Sequence, residues 1–479
     1  MAREPAEPPP RVLQRAHPEW AQHPASPRLV LRLALPAIGE QVLGAVVGIT
    51  DTLIAGHMPG NANLISAATA AVGLMTYLQW FAGLMTAALA VGATAIVSRA
   101  VGARRMRMAN RAAGTAISAG FLVSITTAAL LFIFAHPIVH MCGLAGLSGL
   151  YAIQYLRIMV VTISLQTAGQ IGMATVRGSG DTIRPMWIMG AVMIVNALAS
   201  AAFTYGWFGA PAWGVRGNAF GTLLAYATGG LGAAMILFGK RSRLRIRLRH
   251  LRIVPHVLMR ILKIGMPSWF EGMLLWGGQF LIVIFVINSR TDPNGYTMAA
   301  HTGVLRVESI AFLPGFGFGI AASALVGQYL GAGKPEEARH AAHIANRFAL
   351  ITMTVLAMPM IFVPRFMLSM MVNSAPVIAV GKWPMIFAGL AQPGFAIAIV
   401  LSGALKGAGE TVLPMLGTVS GIFLVRVILL VLILWWMATH GITGANLTAV
   451  WIAVFIDLSY RGVFNTLVFN RSKWHQKRI

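Results

Sequence analysis

Residues Arg177-Gly-Ser-Gly-Asp-Thr-Ile-Arg-Pro-Met186 recur 229 positions later as Lys406-Gly-Ala-Gly-Glu-Thr-Val-Leu-Pro-Met415. Both copies hold the pattern Gly-x-Gly-[Asp/Glu]-Thr-x-x-Pro, which is too specific for a chance match. The same offset aligns residues 97–103 with 326–332, and an offset of 231 aligns Pro36 and Glu40 with Pro267 and Glu271. The chain is therefore an internal duplication, and a fold with two equivalent halves is expected.

The composition around these repeats is that of a membrane protein. Of the 479 residues, 57% are hydrophobic and only 10% are charged, and the formal net charge is +24. Soluble domains carry roughly 25% charged residues, so the missing polar surface predicts contact with lipid. A nucleic-acid-binding protein would keep its basic residues on a solvated surface rather than among long apolar runs. The single cysteine, Cys142, excludes an internal disulfide framework and cysteine-clustered metal sites.

Apolar stretches long enough to cross a bilayer occur twelve times, which predicts an all-α integral membrane protein. Six spans per half is an even number, so both halves enter the membrane in the same direction and form two parallel-repeat six-helix lobes. A central cavity is expected between them. The predicted spans are 33–57, 68–98, 110–135, 148–176, 185–208, 217–239, 263–288, 298–328, 338–363, 378–405, 413–436 and 444–468.

The distribution of Lys and Arg predicts the orientation. With a cytoplasmic N-terminus, 30 of the 37 Lys and Arg residues fall on the cytoplasmic side, four fall on the opposite side and three lie within spans. This asymmetry predicts that both termini are cytoplasmic, and it explains the net charge without a nucleic-acid partner. The densest basic run, 240–250, fits a topology anchor between the halves, with binding of anionic lipid head groups as the alternative.

These features predict five segments. The proline-rich stretch 1–27 has no apolar core and is expected to be a disordered cytoplasmic tail rather than a signal peptide. The other segments are an N-terminal six-helix lobe (28–239), a basic cytoplasmic linker (240–262), a C-terminal six-helix lobe (263–469) and a basic cytoplasmic tail (470–479).

Five acids are expected at membrane depth, where each is a candidate functional residue because a buried carboxylate costs several kcal/mol. Glu40 and Asp51 are 11 residues apart and share one face of the first span, where they could bind cations or a proton. The alternative is that these acids only hydrogen-bond a neighbouring helix. The five acids are Glu40, Asp51, Glu271, Glu308 and Asp457.

Neighbouring arginines change the interpretation of some acids. Asp457 precedes Arg461 by four residues, so an intrahelical ion pair is the simple explanation. Arg306 and Glu308 are two residues apart, point to different sides of their helix and each need another partner. Arg426 also needs a partner, and it more often locks helices together than contacts substrate.

The eighth span contains Phe312-Leu-Pro-Gly-Phe-Gly-Phe-Gly319, which predicts a kink or local unwinding. Pro314, Gly315 and Gly317 are therefore candidate hinge residues of a moving wall, or else form a static kink for packing. The chain lacks a GxxxxGK[ST] nucleotide-binding segment and the HExxH, GxSxG and clustered Cys/His motifs of enzymes. We therefore expect no enzyme activity and no cofactor, and an ion gradient as the energy source if transport is active.

The motifs resemble those of the multidrug and toxic compound extrusion (MATE) transporters, in particular the bacterial NorM-like branch. The resemblance covers about residues 30–474. It rests on Pro36 with Asp51-Thr-Leu-Ile-Ala-Gly56, on the duplicated turns, and on Leu313–Gly319 leading to Val326-Gly-Gln-Tyr-Leu-Gly-Ala-Gly333. It implies two lobes in a V that alternate between inward-facing and outward-facing states. By this resemblance, a monomer in the bacterial inner membrane would export cationic organic compounds in exchange for Na⁺ or H⁺.

The resemblance also implies roles for residues. Asp51 matches the ion-coupling acid of the first helix, and Asn196 matches a polar position near it, so both are predicted to couple ion binding to transport. Ser200 stands where relatives often have an amide or carboxylate. Glu271, Glu40 and Glu308 are predicted to attract cationic substrate into the cavity, and any Na⁺ is expected at Asp51.

Other functions would require sequence features of their own. A flippase or exporter of a lipid-linked or other amphipathic metabolite in the same superfamily has the same two-lobe architecture, but it would call for basic residues in the cavity. A major-facilitator carrier would have an aspartate in the loop after span two, and residues 98–105 have none. A membrane enzyme would need a polar catalytic loop or a soluble domain. A structural scaffold would have little reason to keep five intramembrane carboxylates.

Overall fold

A computed structural model describes residues 23–59, 61–142, 144–239, 242–282, 286, 295–442 and 444–477, and this part of the chain is helical without strands. Twelve long helices follow one another. They are α1 (Pro27–Gly56), α2 (Ala62–Gly102), α3 (Met106–Ile133), α4 (Gly146–Gly178), α5 (Ile183–Tyr205), α6 (Val215–Phe238), α7 (Pro255–Ile282), α8 (Tyr296–Gly331), α9 (Pro335–Phe362), α10 (Ala375–Gly407), α11 (Val412–Thr439) and α12 (Asn446–Arg471).

Eleven of these helices contain a stretch long and apolar enough to cross a membrane. The twelfth, α7, has 28 residues and corresponds to the predicted span 263–288. The last residues of that span, 283–288, are strongly apolar in sequence, and all of them except residue 286 lie outside the described part of the chain. The twelve-helix integral membrane fold expected from the sequence is therefore confirmed.

The duplication is visible in the order of elements. In both halves the third helix is followed by a short helix, Ala135–Met141 in the first half and Pro364–Ser369 in the second. Equivalent helices also pack alike, since α2 contacts α4 as α8 contacts α10, and α4 contacts α6 as α10 contacts α12. Each half therefore forms one lobe.

The first helix of each lobe packs partly against the other lobe. The beginning of α1, including Leu29, Val30 and Leu33, shares a core with α8 to α10 of the second lobe. Reciprocally, the beginning of α7, with Val257 and Ile261, shares a core with α2 and α3 of the first lobe. The basic segment that precedes α7 packs on this core through the buried side chains of Leu244 and Ile246.

Close backbone approach joins the lobes along the second half of α2, from Ala88 to Gly102. A Cβ at Gly102 would clash with the Gln328 carbonyl of α8, and a Cβ at Gly265 of α7 would clash with the Ala88 carbonyl of α2. Glycine is needed at such positions because no other residue lets two backbones approach so closely. The lobes are thus closed against each other at the end of the bundle where Lys and Arg are concentrated.

Three features differ from expectation. Residues 1–22 of the predicted disordered tail lie outside the described residues, but Ala25 is buried and its backbone N–H donates to Glu337 Oε2 at 2.6 Å. The eighth helix remains helical through Pro314, so of the two predicted outcomes, a kink or local unwinding, unwinding does not occur there. A π-helical segment, Gly421–Val427, interrupts α11 and had no signal in the sequence pattern.

Candidate functional site

Asp51 lies in the centre of the first lobe, buried among polar side chains from α5 and α6. Asn196 Nδ2 donates to Asp51 Oδ1 at 2.9 Å, and Thr222 Oγ1 lies 3.1 Å from both carboxylate oxygens. Asn218 Nδ2 donates to the backbone carbonyl of Asp51 at 3.0 Å. The predicted pair Asp51 and Asn196 is therefore brought together. Ser200 joins them, since Asn196 Nδ2 lies 3.4 Å from Ser200 Oγ.

Oxygen atoms around Asp51 are left without hydrogen-bond partners. Within the described residues, the side-chain carbonyls of Asn196 and Asn218 are both buried and unpartnered. Buried polar atoms normally find a partner, so unpaired oxygens beside a carboxylate favour a site that accepts a proton or cation. A cavity of about 240 Å³ opens at Asp51, with Tyr155 and Tyr226 in its wall.

Glu40 and Glu271 are each paired with a basic residue, and the two pairs are related by the duplication. Arg177 Nη1 forms an ion pair with Glu40, and Lys406 Nζ lies 2.8 Å from Glu271 Oε2. Thr418 Oγ1 also donates to Glu271 Oε1 at 3.0 Å. Arg177 and Lys406 are the first residues of the two repeated turns. Glu40 and Glu271, two of the three predicted substrate acids, thus each have a basic partner, although Oε2 of Glu40 keeps no hydrogen-bond partner.

A central cavity of about 470 Å³ lies between the lobes. Its wall includes side chains of both, among them Arg177 from the first lobe and Glu271, Lys406 and Arg461 from the second. The rest of the lining is largely apolar and aromatic, with Trp276, Phe316 and Phe395. A second cavity, of about 340 Å³, lies within the first lobe and is lined by Glu40 as well as Arg177.

Asp457 is shared by two arginines. Arg461 Nε donates to Asp457 Oδ1 at 2.7 Å, which confirms the expected intrahelical pair. Arg426 Nη2 lies 2.6 Å from Asp457 Oδ2, and its Nη1 donates to Gln279 Oε1 at 3.1 Å. Arg426 therefore joins α7, α11 and α12, as its helix-locking interpretation predicted.

Glu308 and the expected hinge lie apart from these sites. Glu308 is buried on α8, and it lines neither the Asp51 cavity nor the central cavity. Pro314 and Gly315 are buried inside the second lobe, where a Cβ on Gly315 would press on the Met353 side chain of α9. Gly317 instead lies against Ile38 of α1, at the contact between the lobes.

Several site residues were missed in the sequence. Arg177 and Lys406 could have been found, because the repeated turns begin with a basic residue in both halves just as Glu40 and Glu271 recur. Thr222 and Asn218 on α6 gave no comparable signal. They lie 167 to 171 residues from Asp51 and have no counterpart among the repeated motifs.

The MatE family model matches the chain twice, over residues 36–201 and 267–432. The chain belongs to the MATE family. The two matches begin at Pro36 and Pro267, which are the residues that the duplication aligned. Together they cover most of the chain, one match in each lobe.

Relatives place the chain in the NorM-like branch of the MATE transporters. It is 27% identical over 451 residues to the probable multidrug resistance protein NorM of Thermotoga maritima, covering 94% of this chain and 93% of that protein. The fold matches an outward-facing multidrug resistance MATE transporter of the MOP superfamily with a TM-score of 0.84 at 19% identity, covering 98% and 100% of the chains. It also matches a MOP superfamily transporter from Pyrococcus furiosus with a TM-score of 0.80 at 22% identity, covering 97% and 98%.

Membership of this family identifies the protein as a multi-pass membrane transporter of small molecules, in a branch of multidrug efflux proteins. Members of the MATE family are transporters rather than enzymes, and they need no cofactor. The bacterial NorM-like branch supports a location in the inner membrane.

Proposed function

We propose that the protein is a secondary active antiporter that exports cationic organic compounds in exchange for Na⁺ or H⁺, with Asp51 as the coupling residue. The observation that carries this proposal is the buried carboxylate of Asp51, held by Asn196 and Thr222 beside unpartnered amide oxygens. Such a site binds a cation or proton in one state and releases it when the surrounding helices move.

The site has the ligand chemistry for either ion. A carboxylate, a hydroxyl and amide carbonyl oxygens are the donors that hard cations prefer, so Na⁺ would bind Asp51 with Thr222 and Asn196. Ser200 supplies a neutral hydroxyl there, which favours neither ion. A proton would instead neutralise Asp51 and weaken its hydrogen bonds from Asn196.

Cationic compounds fit the first lobe. One carboxylate oxygen of Glu40, Oε2, is buried without a hydrogen-bond partner. Glu40 lines the 340 Å³ cavity of the first lobe, the lobe that also contains Asp51. The rings of Tyr155 and Tyr226 add faces for cation–π contact. Glu40 would therefore attract the cationic group of a substrate. Glu271 is paired with Lys406 and Glu308 lines neither cavity, so a substrate role for these two acids would require a different state of the lobes.

Alternating access follows from the closed contact between the lobes. With both termini cytoplasmic, as the Lys and Arg distribution predicts, the closure at Gly102 and Gly265 seals the cytoplasmic side. The state is then outward-facing, and opening of this seal with closure of the other side would complete the cycle. We take the acting unit to be a monomer surrounded by lipid.

Uptake of ethidium into inverted vesicles tests the proposal, with Na⁺ and pH gradients imposed separately. We expect one gradient to drive uptake, and Asp51→Asn to lower it to roughly a tenth or less because the coupling charge is lost. Asp181→Asn is the matched control, since Asp181 lies in a repeated turn outside the cavities and pairs with Arg184. Unchanged gradient-driven uptake by Asp51→Asn would exclude Asp51 as the coupling residue.

A second function is favoured by one observation. The central cavity presents the side chains of Arg177, Lys406 and Arg461, and basic residues there are what a flippase or exporter of a lipid-linked or other amphipathic metabolite requires. Absence of ethidium uptake under every gradient, with correctly inserted protein, would make this the leading function.

A further inference from the structure

The charges around the central cavity are unequal. Among the described residues in its wall, Arg177, Lys406 and Arg461 are cationic and Glu271 is the one carboxylate. Arg177 belongs to the first lobe, and Lys406 and Arg461 belong to two different helices of the second, so the excess is not a property of a single helix face. A transporter that bound only cations here would place its substrate against like charges.

The acidic partners of two of these cations do not share the wall. Glu40, which pairs with Arg177, lines the cavity of the first lobe instead. Asp457, which pairs with Arg461, is fully buried and is shared with Arg426. Glu308 also interacts electrostatically with Arg426, but it does not line the central cavity. A molecule in the central cavity therefore meets the cations before it meets their counter-charges.

We propose that the central cavity binds the anionic group of an amphipathic organic molecule, a carboxylate, sulfonate or phosphate, between Lys406, Arg461 and Arg177. The apolar wall, with Trp276, Phe316 and Phe395, accepts the rest of that molecule. The volume of about 470 Å³ is that of a small-molecule site. The proposal rests on the proposed function in so far as the cavity is part of the substrate path, and it extends the substrates to zwitterions and organic anions.

Lys406 controls the affinity through its pairing with Glu271. The ammonium at 2.8 Å from Glu271 Oε2 can turn to an arriving anion, while Thr418 keeps Glu271 Oε1 hydrogen-bonded. Removing the Lys406 charge leaves Glu271 as an unpaired anion in the wall and repels the ligand. Removing the Glu271 charge frees Lys406 and strengthens binding.

Equilibrium binding of two related dyes tests this. Dansylglycine carries a carboxylate and dansylcadaverine an ammonium on the same fluorophore, and both are titrated against the full-length protein in phosphatidylcholine nanodiscs, with empty nanodiscs as background. We expect wild type to prefer dansylglycine, and Lys406→Gln to weaken that binding about ten-fold or more. Lys382→Gln is the matched control, because Lys382 lies near the other end of the same helix, beside Trp383.

A reciprocal variant keeps the test decisive if Lys406→Gln does not fold. Glu271→Gln should bind dansylglycine several-fold more tightly than wild type. The proposal is overturned if dansylcadaverine binds wild type more tightly than dansylglycine, or if neither variant changes dansylglycine affinity. Because the assay measures binding without a gradient, its failure is separate from failure of coupling at Asp51.

The anion could be a soluble compound or a lipid head group, and a second titration separates them. Dansylglycine is titrated again in nanodiscs that contain phosphatidylglycerol. Competition by this lipid in wild type that disappears in Glu271→Gln/Lys406→Gln assigns the site to a lipid head group. Unchanged affinity in wild type assigns it to a soluble organic anion.

Discussion

Two arginines share one fully buried carboxylate at Asp457, which is an unusual concentration of charge inside an apolar bundle. Arg426 and Arg461 both donate to it, so this one carboxylate is the charged partner of two buried guanidinium groups. An unpaired buried charge is costly because the protein interior solvates it poorly. The position of Gly421 is part of this arrangement, since a Cβ there would clash with Asp457 and Arg461.

Asp457→Asn is expected to destabilise the protein strongly. It leaves two buried guanidinium groups without a carboxylate, and breaking a buried pair in this way costs about 3–5 kcal/mol. Thermal unfolding of the purified protein in detergent should therefore begin at a clearly lower temperature. Asp181→Asn removes an equivalent charge from the half-exposed pair with Arg184 and should cost at most about 1 kcal/mol. Equal unfolding midpoints for the two variants would contradict this account.

The twelve helices could be predicted from apolar run length, because lipid requires each buried backbone group to bond within its own helix. The predicted spans end early at the basic side, where α2 and α8 continue to Gly102 and Gly331. These turns are covered by the other lobe rather than by lipid, so hydropathy does not report them. The π-helical turn of α11 was likewise hidden: it contains Arg426, whose partner Asp457 lies in a different helix, and a linear pattern does not record such a contact.

Close packing of α2 against α7 makes a prediction for one glycine. Gly265→Ala should prevent the closed contact, because its Cβ would meet the Ala88 carbonyl and backbone cannot yield as a flexible side chain can. Electron paramagnetic resonance with spin labels at Arg107→Cys and Glu336→Cys, in a Cys142→Ser background, should report a longer distance between the lobes. Gly277→Ala on the same helix meets nothing within 4 Å and should leave the distance unchanged.

At the scale of the whole molecule, the duplication decided what could be predicted of the site. Asp51 and Asn196 were identified correctly as neighbours from their resemblance to a family pattern, and the structure brings them to 2.9 Å. The ion pairs of Glu40 with Arg177 and of Glu271 with Lys406 were not predicted, although all four residues lie at positions that the duplication aligns. Pairing depends on how the ends of α4 and α10 return to α1 and α7, and a linear pattern holds no such distances.

Both ends of the described chain also bridge the lobes. Tyr329 of the second lobe donates its hydroxyl to the His23 carbonyl at 3.3 Å, just before α1 begins. At the other end, the Lys477 ammonium pairs with Glu410 of its own lobe at 2.8 Å, while the Lys477 backbone carbonyl accepts a hydrogen bond from Arg99 of the first lobe. Segments that flank the two lobes thus join the seal that α2, α7 and α8 form.

Arg99 is the residue of α2 that connects the first lobe to this seal. Its Nη2 donates to the Ala408 carbonyl at 3.0 Å, and its Nη1 donates to the Lys477 carbonyl, both beyond the lobe to which Arg99 belongs. Each hydrogen bond from a charged donor contributes about 1.5–3 kcal/mol, and here both exist only while the lobes are closed at this end. Arg99→Ala should therefore raise the ratio of open to closed molecules roughly ten-fold or more.

The same pair of spin labels measures this shift as a new population at longer distance. Arg105→Ala is the matched control, since Arg105 is exposed on the neighbouring turn and its removal takes away the same charge. Identical distance distributions for the two variants would show that Arg99 does not hold the seal. A shift in Arg99→Ala alone would mean that closure depends on the bonds by which Arg99 crosses to Ala408 and Lys477 of the other lobe.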